Sequence, residues 1–501
     1  MSTGARDLRE AAGGALASRL SPRYLEEHCL IPLGIADDGL LEIAVGSGLD
    51  ASVADELSRL YKKKLRAVQV PPGEVLAAIM SATRSDSVKV APASTNGNGD
   101  EASVPIDDLE ALANGAPVIK LVNVLMLDAL KTGASDIHVE SALTGLRIRY
   151  RIDGVLQEVS RITAQYGAAV ISRIKIMSGL DIAERRKSQD GRARMRLADR
   201  DVDLRVSTLP ALHGESVVLR ILDHAGHGRD LAELGMPREV QTDFERLTQR
   251  TSGMILVTGP TGSGKTTTLY AALAKVNAPG VKIVTVEDPV EYQIPGVIQI
   301  PVNQKAGFGF DTALSSILRH DPDVIMVGEM RDRTTAELAV QAALTGHLVF
   351  STLHTTDAAS AITRLVEMGI EPYLVAATAQ GIVAQRLVRL LCDNCAEPYQ
   401  PQAGELRTSD AEDSSATYRR SKGCEECSHT GYRGRMGIYE YLGVDDKDRE
   451  MITRGASVSE LRNAARGRGM RSLVDAGWDL VRSGRTSITE LGRVVSENFG
   501  G

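Results

Sequence analysis

Short apolar runs alternate with longer amphipathic stretches between residues 235 and 390. The runs are 254–257, 282–286, 324–327 and 348–351. Runs of this length, separated by helix-length stretches, are typical of buried strands that alternate with helices. This order predicts a parallel sheet with helices on both faces. The sequence therefore predicts an α/β domain at residues 235–390.

The rest of the chain divides by pattern and composition. Residues 1–85 predict a small α/β domain, and residues 107–230 predict a second one with alternating strands. Between them, residues 86–106 are rich in Ser, Asn, Gly, Pro and Asp without periodicity, which predicts a flexible linker. Residues 391–440 contain four cysteines, and residues 441–501 predict a helical tail. We expect an α/β multidomain protein.

Composition narrows the class of protein. The net charge is −7 and aromatic residues make up 4% of the chain. Proteins that grip nucleic-acid backbones usually carry a basic excess and stacking aromatics, so no nucleic-acid partner is expected. The N-terminus has no secretory signal pattern, and no apolar segment reaches the roughly 18 residues that span a bilayer. These features predict a cytoplasmic protein whose membrane association is peripheral.

A phosphate-binding loop follows the first apolar run of the α/β domain. The sequence GPTGSGKT matches G-x-x-x-x-G-K-[ST] between a predicted strand and a predicted helix. Such loops bind ATP phosphates through backbone N–H groups and the lysine, while the first threonine hydroxyl binds Mg²⁺. The predicted nucleotide-binding residues are Gly259, Pro260, Thr261, Gly262, Ser263, Gly264, Lys265, Thr266 and Thr267.

Hydrolysis needs a carboxylate that orients water or accepts its proton. Two candidates follow the next two strands: Glu287 after 282–286, and Glu329 after 324–327. His354 follows the strand at 348–351. Parallel strands present their carboxyl ends at one edge of the sheet, where ligands bind. We therefore expect these three side chains near the phosphate loop, with a γ-phosphate-sensing role for His354. Solvated strand-end acids and a structural histidine are the alternatives.

Two C-x-x-C pairs contribute four cysteines, Cys392, Cys395, Cys424 and Cys427. Four thiolates suit a tetrahedral Zn²⁺, and a site with four protein ligands is structural. A disulfide pair or a redox dithiol is the alternative, which the reducing cytosol makes less favourable.

Four segments together resemble a known family. GPTGSGKTTT, VTVEDPVE (284–291), ILRHDPDVIMVGEMRD (317–332) and TGHLVFSTLHTTDA (345–358) are similar to the Walker A, Asp, Walker B and His boxes of the secretion ATPase superfamily. These are the traffic ATPases of type II secretion and type IV pilus assembly. The resemblance covers roughly residues 107–501. It implies a RecA-like P-loop core, a preceding PAS-like domain and ATP hydrolase activity.

The resemblance also assigns residues and partners. It implies a homo-hexamer in which Arg205 and Arg220 of the preceding domain reach nucleotide across a subunit or domain interface. A strand arginine paired with a nearby acid is the alternative for each. The family often has two arginines four residues apart before the Walker B strand, but this chain has Ser315 and Arg319. The family's contact at the first of these positions is therefore in doubt.

The resemblance implies an ATPase motor that drives pseudopilus assembly and protein export by type II secretion. It would act peripherally on the cytosolic face of the inner membrane, with a bitopic recruiter docked on the first domain and a polytopic platform protein as partners. The tetracysteine subdomain is found in the secretion and pilus-assembly branches. A type IV pilus extension motor is the nearest alternative, and cyclic di-GMP binding would favour it. A nucleic-acid translocase is less favoured by the charge.

Overall fold

The structure is a computed structural model. It describes residues 28–83 except Asp37 and Ser47, residues 112–222 except 198 and 199, and residues 230–402 and 416–495. Leu8, Ala11 and residues 16–20, 24–25 and 405–406 are also described. The predicted linker at 86–106 lies outside the described residues. Two compact units divide the chain after Asp223.

The first unit begins with a three-stranded sheet. Its strands are β1 (Leu30–Ile35), β2 (Leu41–Val45) and β3 (Leu65–Gln69), accompanied by helices α1 (Ala51–Tyr61) and α2 (Pro72–Thr83). β1 and β2 are antiparallel, whereas β2 and β3 are parallel and are connected through α1. Asp50 caps α1, because its carboxylate accepts a 3.0 Å hydrogen bond from the Ser52 backbone N–H.

The first unit continues with a six-stranded antiparallel sheet. The strands are β4 (Ala134–Ala142), β5 (Gly145–Ile152), β6 (Val155–Thr163), β7 (Gln189–Leu197), β8 (Arg200–Ala211) and β9 (Gly214–Leu222), in the order β6-β5-β4-β9-β8-β7. Helices α3 (Ala116–Lys131) and α4 (Ala164–Met177) cover its apolar face. Helix α2 packs on α3 and β6, where a Cβ on Gly73 would lie 2.7 Å from the Ser160 hydroxyl.

The second unit is built on a seven-stranded sheet. Its strands are β10 (Gly253–Thr258), β11 (Ile283–Glu287), β12 (Ile298–Pro301), β13 (Val324–Val327), β14 (Leu348–Leu353), β15 (Ala379–Leu391) and β18 (Tyr432–Gly443). The order is β12-β11-β13-β14-β10-β15-β18, parallel except for the last pair. Buried residues lie on both faces of this sheet. The predicted α/β multidomain class is confirmed.

Helices surround this sheet. They are α5 (Arg238–Thr248), α6 (Lys265–Val276), α7 (Phe310–Ile317), α8 (Arg333–Leu344), α9 (Ala358–Glu367), α10 (Pro372–Thr378), α11 (Asp446–Thr453), α12 (Val458–Gly467), α13 (Leu473–Arg482) and α14 (Ile488–Val495). The last four form the predicted helical tail. A two-stranded sheet, β16 (Glu397–Pro398) with β17 (Arg419–Arg420), lies in the cysteine-rich region. Strand β18 spans the predicted boundary at residue 440.

Candidate functional site

The predicted phosphate loop connects the buried strand β10 to helix α6. Gly259 and Gly264 have φ angles of 148° and 87°, a region that glycine adopts without a Cβ penalty. A Cβ on Gly259 would also lie 2.4 Å from the Gln385 carbonyl oxygen. The loop can therefore turn tightly and bring its backbone N–H groups to the N-terminus of α6, where anions are favoured. Thr261 and Thr267 are exposed, and Thr266 is half-buried.

Lys265 is buried and its Nζ lies inside the loop. It donates hydrogen bonds to the carbonyl oxygens of Gly259 at 2.8 Å and Pro260 at 3.1 Å. Burial lowers the pKa of Lys265 to about 8, and the Glu329 carboxylate opposes this shift. A buried ammonium held by neutral carbonyls is favourably placed for an anionic ligand, because an opposite charge offsets the cost of its desolvation. The loop thus fits a nucleotide phosphate chain.

Glu329 and His354 are brought together, as the sequence predicted. His354 Nε2 lies 3.2 Å from Glu329 Oε2, and Arg331 lies 2.7 Å from Glu329 Oε1. The Glu329 side chain is 14% exposed, whereas Arg331 and His354 are exposed. The carboxylate is therefore held from both sides while it remains in electrostatic contact with Lys265. The sequence prediction did not include Arg331.

The segment that carries His354 is fastened to the end of β10. The hydroxyls of Thr258 and Thr355 lie 2.7 Å apart, and the Thr355 backbone N–H donates to the Thr258 hydroxyl at 2.9 Å. The Thr352 hydroxyl also donates to the Gly328 carbonyl at 2.7 Å, next to Glu329. These bonds connect β10, β13 and β14 at the edge where the phosphate loop begins.

Glu287 lies at the end of β11 but is buried in a separate polar network. Its carboxylate accepts hydrogen bonds from the hydroxyls of Tyr270 and Thr285 and, at 3.2 Å, from Gln299 Nε2. Burial and the Glu287 carboxylate raise the pKa of Tyr270. The exposed acids of the same segment are Asp288 and Glu291. Within the part of the chain that the structure describes, the hydrogen bonds of Glu287 are therefore made with this network and not with Lys265, Glu329 or His354.

Gln385 on β15 supports the loop from behind and was not found by sequence analysis. Its Oε1 accepts a 2.7 Å hydrogen bond from the Thr268 hydroxyl on α6, and it is 2% exposed. A Cβ on Gly264 would lie 2.8 Å from its Nε2. More than a hundred residues separate Gln385 from the loop, so no local pattern indicates this contact.

Arg205 and Arg220 lie opposite each other on β8 and β9 of the first unit. Arg220 Nε donates to Asp136 Oδ1 at 2.9 Å, and its side chain is 57% exposed. One nitrogen of Arg220 is therefore paired with a nearby acid, which is the alternative stated for this strand arginine.

Further along the chain, the Arg319 guanidinium donates to the Ser315 carbonyl oxygen at 2.9 Å.

The four predicted cysteines form one cluster. The sulfurs of Cys392 and Cys424 are 3.8 Å apart, as are those of Cys395 and Cys427, while Cys424 and Cys427 are separated by 3.7 Å. A Zn–S bond of about 2.3 Å places the sulfurs of a regular tetrahedron about 3.8 Å apart. Disulfide sulfurs would be about 2 Å apart. The cluster therefore has the dimensions of a four-thiolate metal site.

Backbone N–H groups point at these sulfurs. Gly423 N–H donates to Cys395 Sγ at 3.3 Å, and Gly431 N–H donates to Cys427 Sγ at 3.2 Å. Asn394 Nδ2 donates to Cys424 Sγ at 3.4 Å. Donors of this kind stabilise thiolates, which are the form that binds metal. The residues present therefore fit Zn²⁺.

The parallel sheet, the glycine loop, the buried lysine and the strand-end glutamate define a P-loop ATP hydrolase, with ATP and Mg²⁺ as the ligands that this class implies. Across the described ranges, every helix is too short or too polar to traverse a bilayer.

Comparisons with known proteins identify the family. Residues 111–493 match the family model "Type II/IV secretion system protein", and residues 6–87 match the model "MshEN domain". The chain belongs to the type II/IV secretion system protein family, which confirms the resemblance seen in the four boxes.

Individual relatives agree with this assignment. The type II secretion system ATPase E of Vibrio cholerae is 48% identical over 393 residues, which cover 78% of each chain. The type IV pilus assembly ATPase PilB of Myxococcus xanthus is 40% identical over 510 residues, covering 96% of this chain and 87% of PilB. The crystal structure of the pilus retraction motor PilT with bound ADP has a TM-score of 0.51 and 26% identity, covering 74% of this chain and 96% of PilT.

Proposed function

We propose that this chain is the ATPase motor that powers pseudopilus assembly and protein export through a type II secretion system. The observation that carries the proposal is the 48% identity to a type II secretion system ATPase over 78% of both chains. The contact of His354 with Glu329, whose carboxylate also acts electrostatically on the buried Lys265, supports hydrolysis rather than nucleotide binding alone.

The residues of the site would divide the work of hydrolysis. Lys265 and the loop N–H groups would hold the β- and γ-phosphates, while Thr266 would hold Mg²⁺, which neutralises phosphate charge. Glu329 would accept a proton from the water whose oxygen attacks the γ-phosphorus, as the bond to the β-γ bridging oxygen breaks. His354 would couple this carboxylate to the γ-phosphate. Arg205 and Arg220 would stabilise the charge that develops on the phosphate oxygens.

The proposal also covers the oligomeric state, the cellular location and the partners of the chain. We expect a homo-hexamer on the cytosolic face of the inner membrane, with the first domain bound to a bitopic recruiter and the ring acting on a polytopic platform protein. Glu287 would maintain the β11 end through its buried network, and Zn²⁺ would hold the tetracysteine cluster together.

The test begins with Lys265→Ala in the full chain. We expect ATP turnover to fall to background, because the phosphate chain loses its buried cation. Lys275→Ala is the matched control, since Lys275 lies on the same helix and pairs with Asp230 at 3.0 Å on the surface. In the native host, Lys265→Ala should retain secreted proteins inside the cell while Lys275→Ala exports them. Turnover that survives in Lys265→Ala would reject the phosphate-loop assignment.

A type IV pilus assembly motor is the second candidate, and one observation favours it. The alignment with PilB covers 96% of this chain, so it includes most of the residues that match the MshEN domain, whereas the alignment with the type II secretion ATPase covers 78%. Deletion of the gene separates the two functions. Loss of exported proteins with normal surface pili supports type II secretion, whereas loss of pili with normal export supports the pilus motor.

A further inference from the structure

Five residues form a straight cross-strand row on the outer face of the six-stranded sheet. Register places Arg192 opposite Arg205, Arg205 opposite Arg220, Arg220 opposite Asp136, and Asp136 opposite Arg151. Directly opposed residues of antiparallel strands point to the same face with Cβ atoms about 5 Å apart. The side chains of four arginines and one aspartate are therefore neighbours.

The charges of this row are balanced at one end only. Asp136 is buried and pairs with Arg220 at 2.9 Å and with Arg151 at 3.6 Å. Arg192 and Arg205 are exposed, and within the described part of the chain no acidic side chain forms an ion pair with either. Like charges on opposed strand positions are destabilising. The Arg192, Arg205 and Arg220 end of the row thus favours an anion.

Adjacent rows on the same face lack this excess. Arg194 lies opposite Asp203 and forms two hydrogen bonds with it, at 2.7 Å and 3.2 Å. Farther along the same face, on β4 and β5, Glu140 accepts hydrogen bonds from both Arg147 and Arg149. The uncompensated charge is therefore a property of one row rather than of a generally basic surface.

The dimensions of the row indicate the kind of anion. Neighbouring strands lie about 4.8 Å apart, so three guanidinium groups on three strands extend over roughly 10 Å. That length suits a polyphosphate chain better than a single phosphate. Arginine forks bind phosphate oxygens in pairs. Among the described residues, Asp136 accepts a hydrogen bond from Nε of Arg220, which leaves the terminal nitrogens of that guanidinium for an anion.

We propose that Arg192 is a third phosphate-binding arginine, acting with Arg205 and Arg220 on the polyphosphate chain of ATP, and that Asp136 is the positioning residue for Arg220. The inference rests on the proposed function, because it takes the ATP of that motor as the ligand of the row. Arg192 and Asp136 lie outside the four signature boxes, and they extend the pair Arg205 and Arg220 by two residues.

The experiment compares Arg192→Ala with Arg194→Ala in the full chain. Both remove an exposed arginine from the same face of β7, but only Arg192 belongs to the row. We expect kcat/KM for ATP to fall about tenfold or more in Arg192→Ala and to change less than twofold in Arg194→Ala. Inorganic tripolyphosphate should compete with ATP less well in Arg192→Ala, while orthophosphate competes equally weakly with all variants. Arg192→Lys should recover activity only in part.

Equal kcat/KM and equal tripolyphosphate inhibition in Arg192→Ala and Arg194→Ala would overturn the assignment of Arg192. Lys265→Ala, measured in parallel, separates the two hypotheses. If Lys265→Ala is inactive and the two arginine variants are alike, the inference fails and the proposed function stands. If Lys265→Ala is active, the proposed function fails, and the inference fails together with the proposed function.

Asp136 is tested by a double-mutant cycle. Asp136→Asn should lower kcat more than it raises KM in the parent chain and should add nothing in an Arg220→Ala background, because it acts through Arg220. Equal losses in both backgrounds would give Asp136 a purely structural role and overturn its assignment. Thermal unfolding of each variant shows whether the sheet is intact.

Discussion

His354 Nε2 lies 3.2 Å from Glu329 Oε2, across the ends of two adjacent parallel strands. Arg331 holds the other oxygen of the same carboxylate at 2.7 Å. The contact therefore connects the strand-end acid to the next loop of the sheet, so a change at either residue alters the other. This relationship gives the first prediction.

Glu329→Gln should lower kcat for ATP by about 100-fold to 10,000-fold, the usual contribution of a general base, while ATP still binds. The amide keeps the shape of the side chain but cannot accept the proton of the attacking water. Steady-state turnover and equilibrium binding of ATP are the measurements. Glu367→Gln is the control, because Glu367 is an exposed acid paired with Arg364 on the surface. A kcat within twofold of the parent would remove Glu329 from the mechanism.

Tyr270→Phe tests the buried position of Glu287. The substitution removes a hydroxyl that donates to the Glu287 carboxylate and leaves that acid with Thr285 and Gln299. We expect the free energy of unfolding to fall by about 1–3 kcal/mol, the cost of an unmet buried polar group. Tyr373→Phe, at an exposed tyrosine, should change it by much less. Chemical denaturation measures both, and equal stabilities of Tyr270→Phe and the parent chain would contradict a stabilising role for the Tyr270–Glu287 hydrogen bond.

Purified protein should contain one equivalent of zinc per chain. Cys424→Ser should lower the zinc content and the unfolding temperature together, because a structural metal contributes folding free energy. Cys29→Ala should leave the zinc content unchanged, since Cys29 lies in the N-terminal domain, outside the cluster. Elemental analysis decides the matter, and well under one equivalent in the parent protein would count against the site.

Glu490 predicts an acid-dependent loss of stability. Its side chain is fully buried; burial alone would raise its pKa, but hydrogen bonds from Arg493 and Arg389 outweigh this and lower it. A lowered folded-state pKa contributes stability above the unfolded value, near 4.5, that is lost as the pH falls through the folded value. Glu490→Gln should therefore cost about 3 kcal/mol at pH 7 and progressively less below pH 4.5.

The control for Glu490 is Glu337→Gln. Glu337 pairs with Arg333 on the surface of α8, where an exposed ion pair contributes less than about 1 kcal/mol. Unfolding measured from pH 3 to pH 7 gives both dependences. A constant difference between Glu490→Gln and the parent chain over this range would show that the charge of Glu490 does not matter.

Local patterns predicted the parts of the site that are local. The loop at residues 259–266 and the strand before it are contiguous in sequence, so spacing and hydropathy identify them. Glu329 and His354 were also found, because parallel strands end at the same edge. The burial of Glu287 was not foreseen, since the period of a strand gives the side on which a residue lies but not what covers it.

The sequence did not predict the contacts that depend on strand register. Gln385 meets the loop because β15 pairs with β10, and Arg192 meets Arg205 because β7 pairs with β8. Residues 391–440 were expected to form a tetracysteine subdomain separate from the core sheet, yet β18 begins at Tyr432 and is the seventh strand of that sheet. Pairings of this kind depend on the whole fold and have no short-range signal.

Strand β15 joins two features, one at its middle and one just beyond its C-terminal end. Gln385 supports the phosphate loop, and Cys392 follows seven residues later, about 23 Å along an extended strand. β18 pairs along this length, and Glu490 accepts a hydrogen bond from the Arg389 backbone N–H at the one shift in register. β15 is thus held along this length by β18 and Glu490. A force applied to the cysteine cluster would therefore be transmitted along β15 to Gln385 and the phosphate loop that it contacts.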